Sequence, residues 1–137
     1  MFFGEFDYQI DAKNRFRVPS RLKGVLEGGA FLTKGTNGCL FIIGREKFDG
    51  LAEKFEETSL FDDRAMLERR MFFSSASEIE LDGQGRALLA KNLIEFADIK
   101  KDIVFIGAGD HVELWAKERY LDYSKNYDTF LNVKVKK

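Results

Sequence analysis

The sequence is poor in the residues that several common classes of protein require. Among its 137 residues it has one cysteine, Cys39, and one histidine, His111. A disulfide framework, a CxxC redox motif and a zinc site with several ligands all need more of these side chains. We therefore expect no metal site and no cofactor. The single proline, Pro19, also argues against a stiff proline-rich linker that would divide the chain.

Long apolar runs are missing as well. No stretch reaches the roughly 18 consecutive apolar residues that a membrane-spanning helix needs. The first ten residues do not resemble a signal peptide, because Glu5 and Asp7 interrupt the apolar run and no basic segment precedes it. We expect a cytoplasmic protein without a membrane partner. The net charge of −1 excludes a protein coated in positive charge but allows a local basic face.

Aromatic residues, in contrast, are abundant. They make up 14% of the chain, and 14 of them are phenylalanine. A chain of this length forms a single compact unit with a substantial core. It does not easily hide so much large apolar surface, and we therefore predict a homo-oligomer.

The chain contains an internal repeat. The stretch "DAKNR", from Asp11 to Arg15, returns 71 positions later as "DGQGR", from Asp82 to Arg86. Hydrophobic positions around the two motifs match at the same offset. We divide the chain into a first half-domain over 5–49, connecting helices over 50–77, a second half-domain over 78–121, and a C-terminal helix end and tail over 122–137.

The residue pattern in each half predicts the same order of strands, turns and helices. An alternating strand is followed by a tight turn, in which Asn14 and Gly85 occupy the position that requires a positive φ. A second strand, a short helical turn and a closing hairpin follow. Ile79 and Leu81 alternate with polar residues and predict the first strand of the second half.

Three helices are predicted outside the repeated strands and turns. The first carries an apolar stripe from Phe48 to Phe55. A capping box over 59–62 is expected to open the second, which runs to about Phe73. The third carries Ala116, Tyr120, Tyr123 and Tyr127. The final residues, "NVKVKK", are expected to form a frayed, solvated tail.

A local excess of positive charge surrounds the first motif. Between Asp11 and Gly24 there is one acid and there are five bases, which are Lys13, Arg15, Arg17, Arg21 and Lys23. A two-stranded ribbon fits the DNA major groove, arginine pairs with guanine, and lysine suits phosphate. The alternative is structural: the aspartate accepts N–H groups of the turn, and the arginine forms an ion pair across the hairpin.

An enzyme is a further alternative, with Cys39 as nucleophile and His111 as base. Cys39 lies in the apolar stretch "CLFII" and is expected to be a small buried side chain. His111 lies between glycine and aspartate residues and is expected to be an exposed turn residue. We therefore predict no catalytic residues and no enzyme.

Four longer stretches together resemble the MraZ family of bacterial transcriptional regulators. They are "MFFGEFDYQIDAKNRFRVPSRL", "TNGCLFI", "FFSSASEIELDGQGR" and "VELWAKERY". The resemblance implies an α+β fold in which two AbrB/SpoVT-type swapped-hairpin half-barrels form one β-barrel with helices around it. It also implies a ring of about eight or more protomers.

The same resemblance implies a function and a set of site residues. Such rings bind double-stranded DNA at short G-rich direct repeats upstream of the cell-division and cell-wall gene cluster, and are associated with the nucleoid. Arg15 and Arg86 are the expected DNA contacts, with Asp11 and Asp82 as orienting partners. Asn14 stands where the first motif usually has glycine, and the turn should form because asparagine tolerates a positive φ. Ala90 stands where the second half usually has proline. We therefore expect Arg15, in the first half, to be the main contact. A structural ring without a specific DNA role and an AbrB-type antitoxin remain the alternatives.

Overall fold

The computed structural model describes residues 1–131 and shows a mixed α+β protein with mostly antiparallel strands. The predicted tail over 132–137 lies outside the described residues. The strands are β1 (Phe2–Gln9), β2 (Arg15–Phe16), β3 (Ala30–Lys34), β4 (Leu40–Gly44), β5 (Ser77–Glu78), β6 (Ala87–Leu88), β7 (Asp102–Gly109) and β8 (Val112–Ala116). The helices are a 3₁₀ helix (Ser20–Leu26), α1 (Arg45–Glu56), α2 (Asp63–Ser75), α3 (Lys91–Ala97) and α4 (Lys117–Phe130).

Six strands form one sheet in the order β1-β7-β8-β4-β3-β5, and β2 and β6 form a separate two-stranded ribbon. β1 pairs along its whole length with β7, from Phe2 opposite Gly109 to Gln9 opposite Asp102. β5 pairs with β3 at the other edge of the sheet. The first strand of each sequence repeat thus lies against the closing hairpin of the other repeat.

The closing hairpins form where glycine and asparagine allow the backbone to reverse. Asn37 and Gly38 both have positive φ, 56° and 79°, between β3 and β4. Gly109, with a φ of 89°, begins the turn between β7 and β8. Both turns were predicted from the sequence, and both hairpins are confirmed.

Matched positions of the repeat meet in one hydrophobic core. Leu22 and Leu93 are 0% and 2% exposed, and Val18 and Leu89 are equally well buried. Phe105 of β7 lies at the centre, with its ring centroid 6.1 Å from that of Phe16. The two repeats therefore contribute equivalent side chains to a shared interior.

The first strand of the second repeat is shorter than predicted. β5 ends at Glu78, although the Ile79 N–H still donates to the Ala30 carbonyl at 2.9 Å. Leu81 is 49% exposed and makes only an isolated bridge to Ala87. The strand stops because the register would next place Glu80 opposite Gly29, which precedes β3 and has a φ of 100°.

α1 and α4 form where the sequence predicts them, but α2 begins later than predicted. Its N-cap is Asp62, whose side chain accepts a hydrogen bond from the Ala65 N–H at 3.1 Å. The Ser59 hydroxyl accepts from the Phe61 N–H instead, so the capping box does not form. None of the helices within residues 1–131 is long and apolar enough to cross a membrane.

Candidate nucleic-acid interface

The two-stranded ribbon places the repeated motifs side by side. Arg15 lies opposite Leu88 and Phe16 opposite Ala87, and the Leu89 N–H donates to the Asn14 carbonyl at 2.8 Å. Phe16 and Ala87 are buried and anchor the ribbon to the core. Two stretches 71 positions apart in the chain therefore form one exposed structure.

Each turn is organised by its aspartate. Asp11 Oδ1 accepts the backbone N–H groups of Lys13 and Arg15, both at 2.9 Å. Asp82 Oδ1 accepts those of Gln84 and Arg86, again both at 2.9 Å. These bonds fold the chain back over three residues, which is the local turn chemistry expected of aspartate.

The predicted positive φ is present in both turns. Asn14 has a φ of 61° and Gly85 a φ of 75°. The N–H of each donates to the carbonyl of its own aspartate at 3.0 Å. Asparagine thus adopts here the left-handed conformation that it tolerates better than most side chains.

The four charged side chains of the motifs form a crossed cluster. Arg15 Nε donates to Asp11 Oδ2 at 2.9 Å, and Arg86 Nε donates to Asp82 Oδ2 at 3.0 Å. Arg15 Nη1 also lies 3.8 Å from Asp82 Oδ2, and Arg86 Nη1 lies 3.7 Å from Asp11 Oδ2. Each carboxylate therefore contacts both guanidinium groups, and the structure joins the two motifs into a single unit.

Hydrogen bonding keeps both carboxylates ionised. The pKa of Asp11 is lowered, chiefly because its carboxylate accepts the Arg15 backbone N–H. The pKa of Asp82 is lowered chiefly by the Arg86 backbone N–H. Since two acids balance two bases, the centre of the ribbon is electrically neutral, and any positive face must come from the residues around it.

The flanking cations belong almost entirely to the first motif. Lys13, Arg17, Arg21 and Lys23 are all exposed. Arg17 reaches across the ribbon, and its Nη1 donates to the Gln84 carbonyl. The corresponding residues of the second repeat are Gln84, Leu88, Asn92 and Ile94. Leu88, which takes the place of Arg17, is 68% exposed.

Sequence reasoning missed two lysines beside the first turn. Lys100 and Lys101 line a surface hollow of about 590 Å³ together with Gln9, Ile10, Asp11, Ala12 and Asn14. Their only signal in the sequence was a pair of lysines after a short helix. Because about 90 positions separate them from Asp11, only the pairing of β1 with β7 could place them there.

Cys39 and His111, the two residues considered for an enzyme, are a buried thiol and a hydrogen-bonded imidazole. Cys39 is fully buried, and burial raises the pKa of its thiol to about 12. His111 is half-buried, so its predicted exposure is wrong: its ring nitrogens lie 2.8 Å from Asp110 Oδ1 and 3.2 Å from Glu113 Oε2. Residues 1–131 contain no group of three or more histidine, cysteine or acidic side chains arranged to hold a metal ion.

The chain is similar to a set of known proteins along most of its length. A family model described as "MraZ protein, putative antitoxin-like" matches residues 1–70 and again residues 72–134. The transcriptional regulator MraZ of Clostridium acetobutylicum is 40% identical over 92% of this chain and 89% of its own length. The proteins of the same name from Clostridium beijerinckii and Symbiobacterium thermophilum are 40% and 42% identical. They are matched over 99% and 89% of this chain and over 96% and 88% of their own lengths.

Proposed function

This chain belongs to the MraZ family, and on that premise we propose that it is a transcriptional regulator that binds double-stranded DNA through the β2–β6 ribbon. The observation that carries the proposal is the crossed Asp–Arg cluster. It holds two guanidinium groups next to each other on an exposed ribbon, with Arg15 and Arg86 side chains 26% and 23% accessible. A two-stranded ribbon is narrow enough to enter the major groove.

The geometry supports recognition of bases by the arginines. The Nε of each arginine is already bound to its own aspartate, which fixes the plane of the guanidinium group. Within the described residues, the Nη2 atoms of both arginines have no hydrogen-bond or ion-pair partner. The Nη edge can therefore donate to the O6 and N7 atoms of guanine.

The charge distribution favours Arg15 as the main contact. Lys13, Arg17, Arg21 and Lys23 lie close to it in the sequence, while the second motif has only uncharged residues at the corresponding positions. Lysines that contact phosphate fix the position of a protein on the duplex, and base contacts provide the specificity. Arg86 then acts mainly by holding the shared carboxylates in place.

The strand pairing in the sheet supports the swapped-hairpin fold that the resemblance implies. β1 pairs with the closing hairpin of the second repeat, and β5 pairs with that of the first. This exchange of first strands is the pattern expected of two AbrB/SpoVT-type swapped-hairpin half-barrels. We take 5–49 and 78–121 as the two half-domains, joined by helices over 50–77 and followed by the C-terminal helix end and tail over 122–137.

A ring of about eight or more protomers is part of the same proposal. Several large apolar side chains are exposed on the single chain, including Phe61 at 94%, Phe130 at 86% and Phe3 at 72%. Contacts between copies would cover such surface. A ring presents several ribbons to one duplex, so weak contacts at repeated sites act together at high effective concentration. We place the ring on the nucleoid, where its DNA lies.

The proposal is tested with Arg15→Ala on DNA from upstream of the chain's own gene. We expect the variant to lose specific retardation of this fragment and to keep its assembly by light scattering. Arg64→Ala is the matched control, because Arg64 lies on α2 and its one ion pair is with Glu68. Unchanged binding by Arg15→Ala would remove Arg15 from the site. Failure of the wild type to prefer this DNA over a random duplex would overturn the proposed function.

The description of the matching family keeps an AbrB-type antitoxin as the second candidate. That activity requires a toxin bound stoichiometrically, in addition to DNA. Co-purification of a single defined partner that the chain neutralises in growth assays would favour it. Specific DNA binding without any such partner in co-purification or growth assays favours the regulator.

A further inference from the structure

The surface beside the first turn carries two cations that come from the second repeat. Lys100 and Lys101 lie in the loop between α3 and β7, and both are exposed. The loop is held in place from both sides. On one side, the Ile10 N–H donates to the Lys101 carbonyl at 3.0 Å. On the other side, Ile99, which directly precedes Lys100, is only 5% exposed and is anchored in the core.

Both lysines open onto the hollow that Asp11, Ala12 and Asn14 line from the other side. The register of β1 and β7 explains this placement, because Gln9, two residues before Asp11, pairs with Asp102. Neither lysine forms an ion pair within residues 1–131. Their charge is thus available to a ligand on the same face as the ribbon.

The corresponding place in the other repeat has no lysine, and the Arg45 guanidinium that donates to the Gly28 carbonyl there is already paired with Glu78. β3 begins at Ala30 as β7 begins at Asp102, so Gly28 and Gly29 stand where Lys100 and Lys101 do. Lys13 at the tip of the first turn likewise corresponds to Gln84. Arg17 lies at the second turn, where its Nη1 donates to the Gln84 carbonyl, so cations lie beside both turns. Those beside the first turn are Lys13, Lys100 and Lys101.

We propose that Lys100 and Lys101 bind the DNA phosphate backbone beside the first turn. They extend the site of the first repeat with residues of the second. This inference rests on the proposed function and adds to it two phosphate contacts beside the first turn.

The test replaces both lysines at once, as Lys100→Ala with Lys101→Ala. The matched control removes the same charge elsewhere, as Lys54→Ala with Lys125→Ala, which alters exposed residues of α1 and α4. Fluorescence anisotropy measures affinity for the upstream duplex and for a random duplex of equal length at several salt concentrations. Light scattering checks the assembly of both variants.

We expect the first pair of substitutions to weaken binding to both duplexes by a similar factor. The slope of log affinity against log salt should become shallower by about 1 to 2, since each phosphate contact releases counterions. The preference for the upstream duplex should stay unchanged, which distinguishes these residues from Arg15. A slope and affinity equal to those of the control would overturn the phosphate role alone. If the wild type has no preference between the duplexes, the proposed function fails and this inference fails with it.

Discussion

At the scale of single residues, the two aspartates have the largest influence on the candidate site. Asp11 and Asp82 each shape a turn through two backbone N–H groups and bind the Nε of an arginine. Each also lies near the arginine of the other motif. The structural and functional explanations of the motif are therefore compatible: the bonds that stabilise the hairpin are the bonds that orient the guanidinium groups.

Asp11→Asn is predicted to reduce specificity more than it reduces binding. The amide keeps an oxygen for the turn but loses the charge that holds Arg15. It also removes a negative charge from the ribbon that we propose contacts DNA, which favours non-specific contact with phosphate. We expect the ratio of affinities for upstream and random duplexes to fall about 10-fold, the value of one bidentate base contact. Asp82→Asn should lower the same ratio less, since its contact with Arg15 is longer. Equal ratios in Asp11→Asn and wild type would contradict the orienting role.

Asn14 offers a test of the turn itself. Asn14→Gly should leave the unfolding free energy and DNA binding nearly unchanged, because glycine adopts the φ of 61° without strain. Asn14→Val should lower the unfolding free energy by about 1–2 kcal/mol, since a β-branched residue resists positive φ. Urea denaturation of both variants measures the difference. Equal stability of the two would show that the turn does not require this conformation in solution.

His111 gives the protein a pH-dependent contribution to stability. Its pKa is raised, chiefly by the hydrogen bond with Glu113, and the hydrogen bond with His111 lowers the pKa of Glu113 against the effect of burial. The pKa of Asp110 is lowered to about 2, chiefly by its hydrogen bond with Lys47 and then by that with His111. A raised histidine pKa contributes stability that is complete below its ordinary value of 6.5 and is lost as pH rises through the folded value. The lowered acid pKa values contribute above their ordinary range and are lost in acid.

His111→Gln is therefore predicted to cost more stability at pH 6 than at pH 9. We expect a loss of about 1 kcal/mol at pH 6, where the wild-type ring is protonated between two carboxylates. At pH 9 the loss should be smaller, because the neutral ring has lost its charge-assisted bonds. Urea denaturation at both pH values measures this difference. A loss that is the same at both would show that protonation contributes nothing.

At the scale of elements, an aromatic cluster joins the connecting helices to the sheet. The Phe48 ring on α1 stacks on Phe31 of β3 at 3.9 Å and lies 5.2 Å from the ring of Phe72 on α2. Phe55 also lies 5.0 Å from Phe72. The predicted stripe on α1 is thus used for packing, although no residue of that helix is fully buried.

Phe72→Ala should lower the unfolding free energy by about 2 kcal/mol. The residue is half-buried, so the loss is below the 3–5 kcal/mol typical of a fully buried phenylalanine. Phe61→Ala is the control within the same region, because that ring is 94% exposed. Chemical denaturation followed by circular dichroism compares the two. A larger effect from Phe61→Ala would mean that contacts between copies dominate this region.

At the scale of the assembly, the proposed ring and the proposed binding through each ribbon predict that DNA binding is multivalent. A duplex with two binding boxes on one face should bind about 10²–10⁴ times more tightly than a duplex with one. Inserting about half a helical turn, roughly 5 base pairs, between the boxes should remove most of that gain, since the second box then faces away. Anisotropy titrations with the three duplexes measure the effect. Additive binding that ignores the spacing would argue against several ribbons acting on one duplex.

Patterns in the amino-acid sequence were enough to predict the local structures and the repeat. Turn residues such as Asn14 and Gly85, the closing hairpins and the helices on either side follow from short-range preferences, and periodicity was enough to predict them. Short-range patterns misplaced two features. They predicted the start of α2 too early, because Asp62 and not Ser59 caps the helix. They also predicted a strand through Ile79 and Leu81, although β3, which pairs with β5, does not extend far enough to pair with Leu81.

The way in which the two motifs combine depends on the three-dimensional fold. The ribbon, the crossed contacts of Arg15 with Asp82 and of Arg86 with Asp11, and the lysines beside the first turn join residues about 70 to 90 positions apart. These contacts form because strands of one repeat pair with strands of the other, and because both repeats bury their apolar side chains in one shared core. A pattern within a single stretch of sequence cannot predict contacts between residues so far apart in the chain.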